Sequence, residues 1–106
     1  MAGTILLFRD DGSRPRCEIA LENGDRVRLV LDADGLAITR IAPTSESNDI
    51  LFHAAPATVA GICAGLVGPK RQSGASPLQI LAATVQRIGS AAEVRSAFAE
   101  ATTRLG

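Results

Sequence analysis

The sequence predicts an α+β fold: an antiparallel meander of four to five strands over residues 4–41 and 50–53, packed on one face by two to three C-terminal helices over 56–67, 77–88 and 91–105. Three observations predict it. Residues 17–41 alternate apolar and polar with a period of two, and glycine-bearing turns interrupt that alternation at two places. The second half then changes to apolar residues at helical spacing behind Ser-x-x-Gln and Ser-x-x-Glu signatures.

Taken in order, the continuous apolar run from Ile5 to Phe8 predicts a first strand that is central in the sheet or buried on both faces. Asp10, Asp11, Gly12 and Ser13 reverse the chain, and Pro15 places the start of the second strand at an edge or bulge. Cys17, Ile19 and Leu21 then point one way and Glu18, Ala20 and Glu22 the other; Val27, Leu29 and Leu31 alternate with Arg26, Arg28 and Val30. Parity decides the register. A two-residue Asn23-Gly24 turn would oppose Ile19 to Arg28 and put an arginine among apolar groups, whereas a three-residue loop over 22–24 with Gly24 left-handed pairs Ile19 with Val27, Cys17 with Leu29 and Glu18 with Arg28. At Asp32-Ala33-Asp34-Gly35 either a two- or a four-residue loop leaves Leu36 and Ile38 on the face of Leu29 and Leu31. Residues 42–49 are a polar connector without periodicity, and 50–53 can add a short fifth strand.

Val59, Ile62, Cys63, Leu66 and Val67 make the stripe of a first helix, with Pro56 near its first turn and Gly68-Pro69 as its stop. Ala57, Ala60, Gly61, Ala64 and Gly65 give it a small second face, which predicts burial on both sides and a close backbone approach at Gly61 and Gly65. Ser76 with Gln79 and Pro77 opens the second helix, striped by Leu78, Leu81, Val85 and Ile88. Ser90 with Glu93 opens the third, carried by Val94, Ala97, Phe98, Ala101 and Leu105.

The 106 residues suffice for a single domain over 1–106 with a core that needs no disulfide or metal. Cys17 and Cys63 have no CxxC spacing and read as small buried apolar residues. The apolar run ahead of Arg9 is too short for a signal peptide or a membrane span, which predicts a cytoplasmic protein. Formal net charge is zero, with nine acidic residues against six arginines up to Asp49 and the opposite sign after it. Such a mild dipole, in a chain without Trp or Tyr, argues against a nucleic-acid partner.

Two groups of residues are candidate sites. The loop 68–76 brings Lys70, Arg71, Ser73 and Ser76 to a helix N-terminus, where free backbone donors and the dipole favour a small anion or nucleotide; it lacks the GxxxxGK[ST] pattern of a phosphate-binding loop, and its plainer reading is a solvated connector. The outer sheet face carries Glu18, Arg26, Arg28, Val30, Thr39 and Ile41, with Ala20 and Ala37 between them. Apolar positions within an Arg and Glu rim suit a protein partner or a homodimer, against the plainer reading of a wet sheet face with a weak Glu18–Arg28 pair. No cofactor motif is present. Catalysis has thin support: His53 is the single histidine and has no triad spacing to Ser73 or Cys63, and Asp32-Ala33-Asp34-Gly35 starts like a calcium loop but lacks the closing glutamate. The sequence therefore favours a non-catalytic interaction or oligomerisation module. With its Glu22-Asn23-Gly24 and Asp34-Gly35-Leu36 turns and two capping boxes in this order, the chain resembles small bacterial α+β proteins of uncharacterised function, a resemblance that implies the architecture and no activity.

Overall fold

The computed structural model describes residues 3–12, 14–41, 49–67 and 76–105. Strands β1 (Thr4–Arg9), β2 (Arg16–Ala20), β3 (Arg26–Asp32), β4 (Gly35–Ile41) and β5 (Asp49–Ala54) form one antiparallel meander in chain order. Helices α1 (Pro56–Val67), α2 (Pro77–Gln86) and α3 (Ala91–Leu105) follow and pack on it: α2 against β1 to β3, α1 against β4, α3 against β5.

The register is the one parity demands. Ile19 opposes Val27, Cys17 opposes Leu29 and Glu18 opposes Arg28. The Leu21 N–H donates to the Asp25 carbonyl at 2.7 Å and the Gly24 N–H to the Leu21 carbonyl at 3.0 Å, closing a three-residue loop in which Gly24 takes φ +98°. The next hairpin pairs Asp32 with Gly35, so its loop is the two residues Ala33 and Asp34, and the Asp34 N–H donates to Asp32 Oδ1 at 2.9 Å. Gly35 has φ +116°, and a Cβ there would stand 1.9 Å from the Ala54 carbonyl oxygen. Glycine is thus required twice over, by its dihedral and by the close passage of the end of β5.

The inward set of every strand meets the helices. Cys17, Ile19, Val27, Leu29, Leu36 and Ile38 pack with Leu78, Leu81 and Val85 of α2, Val94 and Phe98 of α3, and Val59, Ile62 and Cys63 of α1. Phe52 and Phe98 stack tilted, with ring centroids 5.4 Å apart. Both cysteines are free and buried. No described polar or charged residue is buried, and no described helix is long and apolar enough to cross a membrane.

The helix starts use side chains as their sequence signatures require. Ser76 Oγ accepts the Gln79 N–H and Gln79 Oε1 accepts the Ser76 N–H, a complete capping box. At α3 the Glu93 N–H donates to Ser90 Oγ, but the Glu93 carboxylate takes the N–H of Gly89 instead of that of Ser90. The further donor at this terminus, the Ala91 N–H, is met from the sheet by Asp25 Oδ2 at 2.9 Å.

Three expectations are corrected. β1 is an edge strand, with Ile5 38% and Leu6 43% exposed. Its pairing slips between Ile5 and Leu7, so Leu6 is an extra residue at a bulge, and two adjacent apolar residues are lifted out of strict alternation. The small face of α1 is open: Ala57, Ala60, Ala64 and Gly65 are exposed, the side chain of Leu105 and no backbone meets Gly61, and no described residue approaches Gly65; Leu66, expected in the buried stripe, is also 42% exposed. Burying Val59, Ile62 and Cys63 already satisfies the helix, since exposing an alanine costs little. On α3, Ala97 and Leu105 are exposed, because β5 and α1 cover a stripe only as wide as Val94 and Phe98.

Candidate functional site

Opposite the helices lies an open sheet face whose residues are all half-buried or exposed, since no described element packs over it. Its make-up follows from register, because directly opposed residues share a face. One row crosses all five strands as Leu7, Glu18, Arg28, Thr39 and Ile50; the next runs Arg9, Arg16, Val30, Ala37 and His53; a third holds Thr4, Ala20, Arg26 and Ile41. All six sequence-predicted face residues, Glu18, Arg26, Arg28, Val30, Thr39 and Ile41, are therefore brought together.

The register brings further residues to this face. Leu7 and Ile50, the latter 68% exposed, extend the apolar part towards both edges. Arg9 and Arg16 stand directly opposite one another. Arg16 was readable, being two positions before Glu18 in the same alternation; Arg9 was not, because its facing depends on the bulge at Leu6.

The charge on this face is one-sided. Arg28 Nη2 and Nε both reach Glu18 Oε2, at 3.2 and 3.3 Å. Among the described residues no carboxylate is in ion-pair distance of Arg9, Arg14, Arg16 or Arg26. The remaining outward carboxylate, Asp32, accepts the Asp34 N–H. Five acidic residues of the first half, Asp10, Asp11, Glu22, Asp25 and Asp34, lie outside the strands, while five of its arginines, Arg9, Arg16, Arg26, Arg28 and Arg40, lie on them. A chain of zero net charge thereby builds a basic surface that counting along the sequence does not reveal. At one corner Arg14, Arg16, Glu18, Arg28 and Val30 line a cleft of about 300 Å³.

Among the residues of the loop 68–76, Lys70, Arg71 and Ser73 lie outside the described residues. Ser76 is described, and its hydroxyl donates to the Asp10 carboxylate while accepting the Gln79 N–H. That hydroxyl is committed to α2, and a carboxylate stands where an anion would approach.

The described residues contain no group of three His, Cys, Asp or Glu placed to hold a metal ion. Burial pushes the Cys17 thiol up to about 12, and burial likewise raises that of Cys63, so neither is primed as a nucleophile. His53 is exposed on β5 opposite Ala37.

The chain matches no protein-family model, no curated protein and no solved structure.

Proposed function

We propose that the protein is a non-catalytic self-association module that pairs two copies through the open sheet face. The observation that carries the reading is a continuous face five strands wide, uncovered in the described residues, in which Leu7, Val30, Ala37, Ile41 and Ile50 lie among arginines. Arginine beside aliphatic groups is the composition that interfaces favour. By ordinary strand spacing and rise the face measures about 24 by 20 Å, and side-chain relief takes that projection towards the roughly 800 Å² per partner of a standard interface.

Charge sets how such a pair responds to salt. Each copy presents more arginine than carboxylate, so closing the faces costs like-charge repulsion that added salt screens. Sedimentation equilibrium on the wild type is expected to show a dimer that tightens between 50 and 500 mM NaCl, the salt concentrations being about those that move the Debye length from roughly 14 to 4 Å. Val30→Arg, on the open face and outside the core, adds to that repulsion and is expected to give a monomer with unchanged unfolding. A wild type that stays monomeric at millimolar concentration overturns self-association. Binding to an acidic partner would instead weaken with salt.

A further inference from the structure

We propose that the corner cleft formed by Arg14, Arg16 and Arg28 is an anion site that takes a phosphate group, carried free or as a small phosphomonoester. It does not rest on self-association, because one copy supplies every residue; the cleft opens on the face that self-association would close, so the titration is run at a concentration where sedimentation shows the monomer. The first support is the set of donors. Three guanidiniums line one cleft with a single carboxylate, Glu18, which is engaged by Arg28 through one oxygen.

The second support is an imbalance the fold does not relieve. Arg16 is flanked across the sheet by Arg9 on one side and Val30 on the other, and neither Arg9, Arg14 nor Arg16 has a carboxylate partner among the described residues. Like charges directly opposed across strands are unfavourable. An anion in the cleft beside Arg16 offsets that repulsion and gains charge-assisted hydrogen bonds, for which the planar guanidinium fork is suited to phosphate oxygens. Asp10, the residue after Arg9, is instead spent on the N-terminus of α2.

The third support is shape. A cleft of about 300 Å³ is at the lower end of the range for small-ligand sites, enough for a phosphate and a short organic group. Val30 supplies an apolar wall, and Ala37 and Thr39 continue the surface beside it, so a small organic group attached to the phosphate would rest on the middle of the sheet. Phosphate is preferred to carboxylate because three arginines line the cleft, with more donors than one carboxylate can use.

The test is a titration with inorganic phosphate, and in a second arm with O-phosphoserine, at ionic strength held constant with chloride. It is followed by amide shifts in ¹H–¹⁵N correlation spectra. Saturable shifts centred on Arg14, Arg16, Arg28 and Val30 are expected. The paired variant Arg14→Ala/Arg16→Ala is expected to weaken binding by roughly tenfold or more, while Arg26→Ala, one row away, leaves it unchanged. Glu18→Gln is expected to tighten binding several-fold by freeing Arg28, an effect that general loss of structure cannot produce. Equal response in the two arms identifies free phosphate as sufficient; tighter O-phosphoserine binding identifies the ester. Absence of saturable shifts with both probes, shifts centred on Ser76, or loss of binding in Glu18→Gln overturns the proposal. Sedimentation of the same samples reports separately on self-association, so either idea can fail alone.

Discussion

Single residues carry unequal weight in this fold, and the heaviest are those that join separate segments. Gly35 lets the end of β5 pass over the start of β4, with 1.9 Å between its absent Cβ and the Ala54 carbonyl oxygen. Gly35→Ala combines a clash with backbone and an unsuitable φ, and is expected to cost about 3 kcal/mol or more in urea denaturation. Asp25 joins the β2–β3 turn to α3: its carboxylate accepts the Ala91 N–H and the Asn23 side-chain N–H and lies 3.6 Å from Arg40. Those hydrogen bonds, the Ala91 one first, hold Asp25 below the usual carboxylate value. A depressed carboxylate stabilises the fold above its unfolded pKa and loses that contribution as pH falls through the lower folded value. Stability is therefore expected to decline below about pH 4, and Asp25→Ala, costing about 1–2 kcal/mol, is expected to flatten that decline. Cys17 acts with the opposite sign. Burial raises its thiol from 9.0 to about 12. An unfolded thiol ionises first, so its contribution is whole below pH 9 and is lost as pH rises from there towards 12. Cys17 is accordingly expected to resist thiol reagents at neutral pH until the protein unfolds.

Whole elements differ in how much of them could be read beforehand, and the difference is physical. β2, β3 and β4 were legible to the residue because alternation sorts their side chains, and because a shift of one in the first turn would bury Arg28. β1 was not. Four consecutive apolar residues write the same pattern for a buried central strand and for a bulged edge strand, and the pairing partner that separates the two lies beyond the local sequence. α1 misled for a related reason: PATVAGICAGLV has no charge to mark its outer side, so both sides looked internal. The α2 signature was informative because it names mechanism as well as position. Ser76→Ala removes the acceptor for the Gln79 N–H and the tie to Asp10, and is expected to destabilise the protein by about 1 kcal/mol in thermal or chemical unfolding. Asp10→Asn keeps the capping box and is expected to cost less.

At the scale of the molecule, the meander divides the chain's chemistry between two faces. Odd strand positions from Cys17 to Leu29 join one core with all three helices, and even positions from Arg16 to Val30 stay outside it. The predicted face residues were legible from this parity. The concentration of arginine was not, because Arg9 meets Arg16 only through the β1–β2 pairing, whose register depends on the bulge at Leu6; the Glu18–Arg28 pair, set by the first hairpin, was readable. Acidic residues placed in turns and at helix starts leave the open face basic, and the same partition sets the salt response of any contact made there. Whether two copies pair through that face is read from sedimentation equilibrium of the wild type beside Val30→Arg at low and high salt. A wild-type dimer that tightens with salt and a folded, monomeric Val30→Arg are expected. A wild type monomeric at millimolar concentration, or a dimer indifferent to Val30→Arg, would overturn self-association.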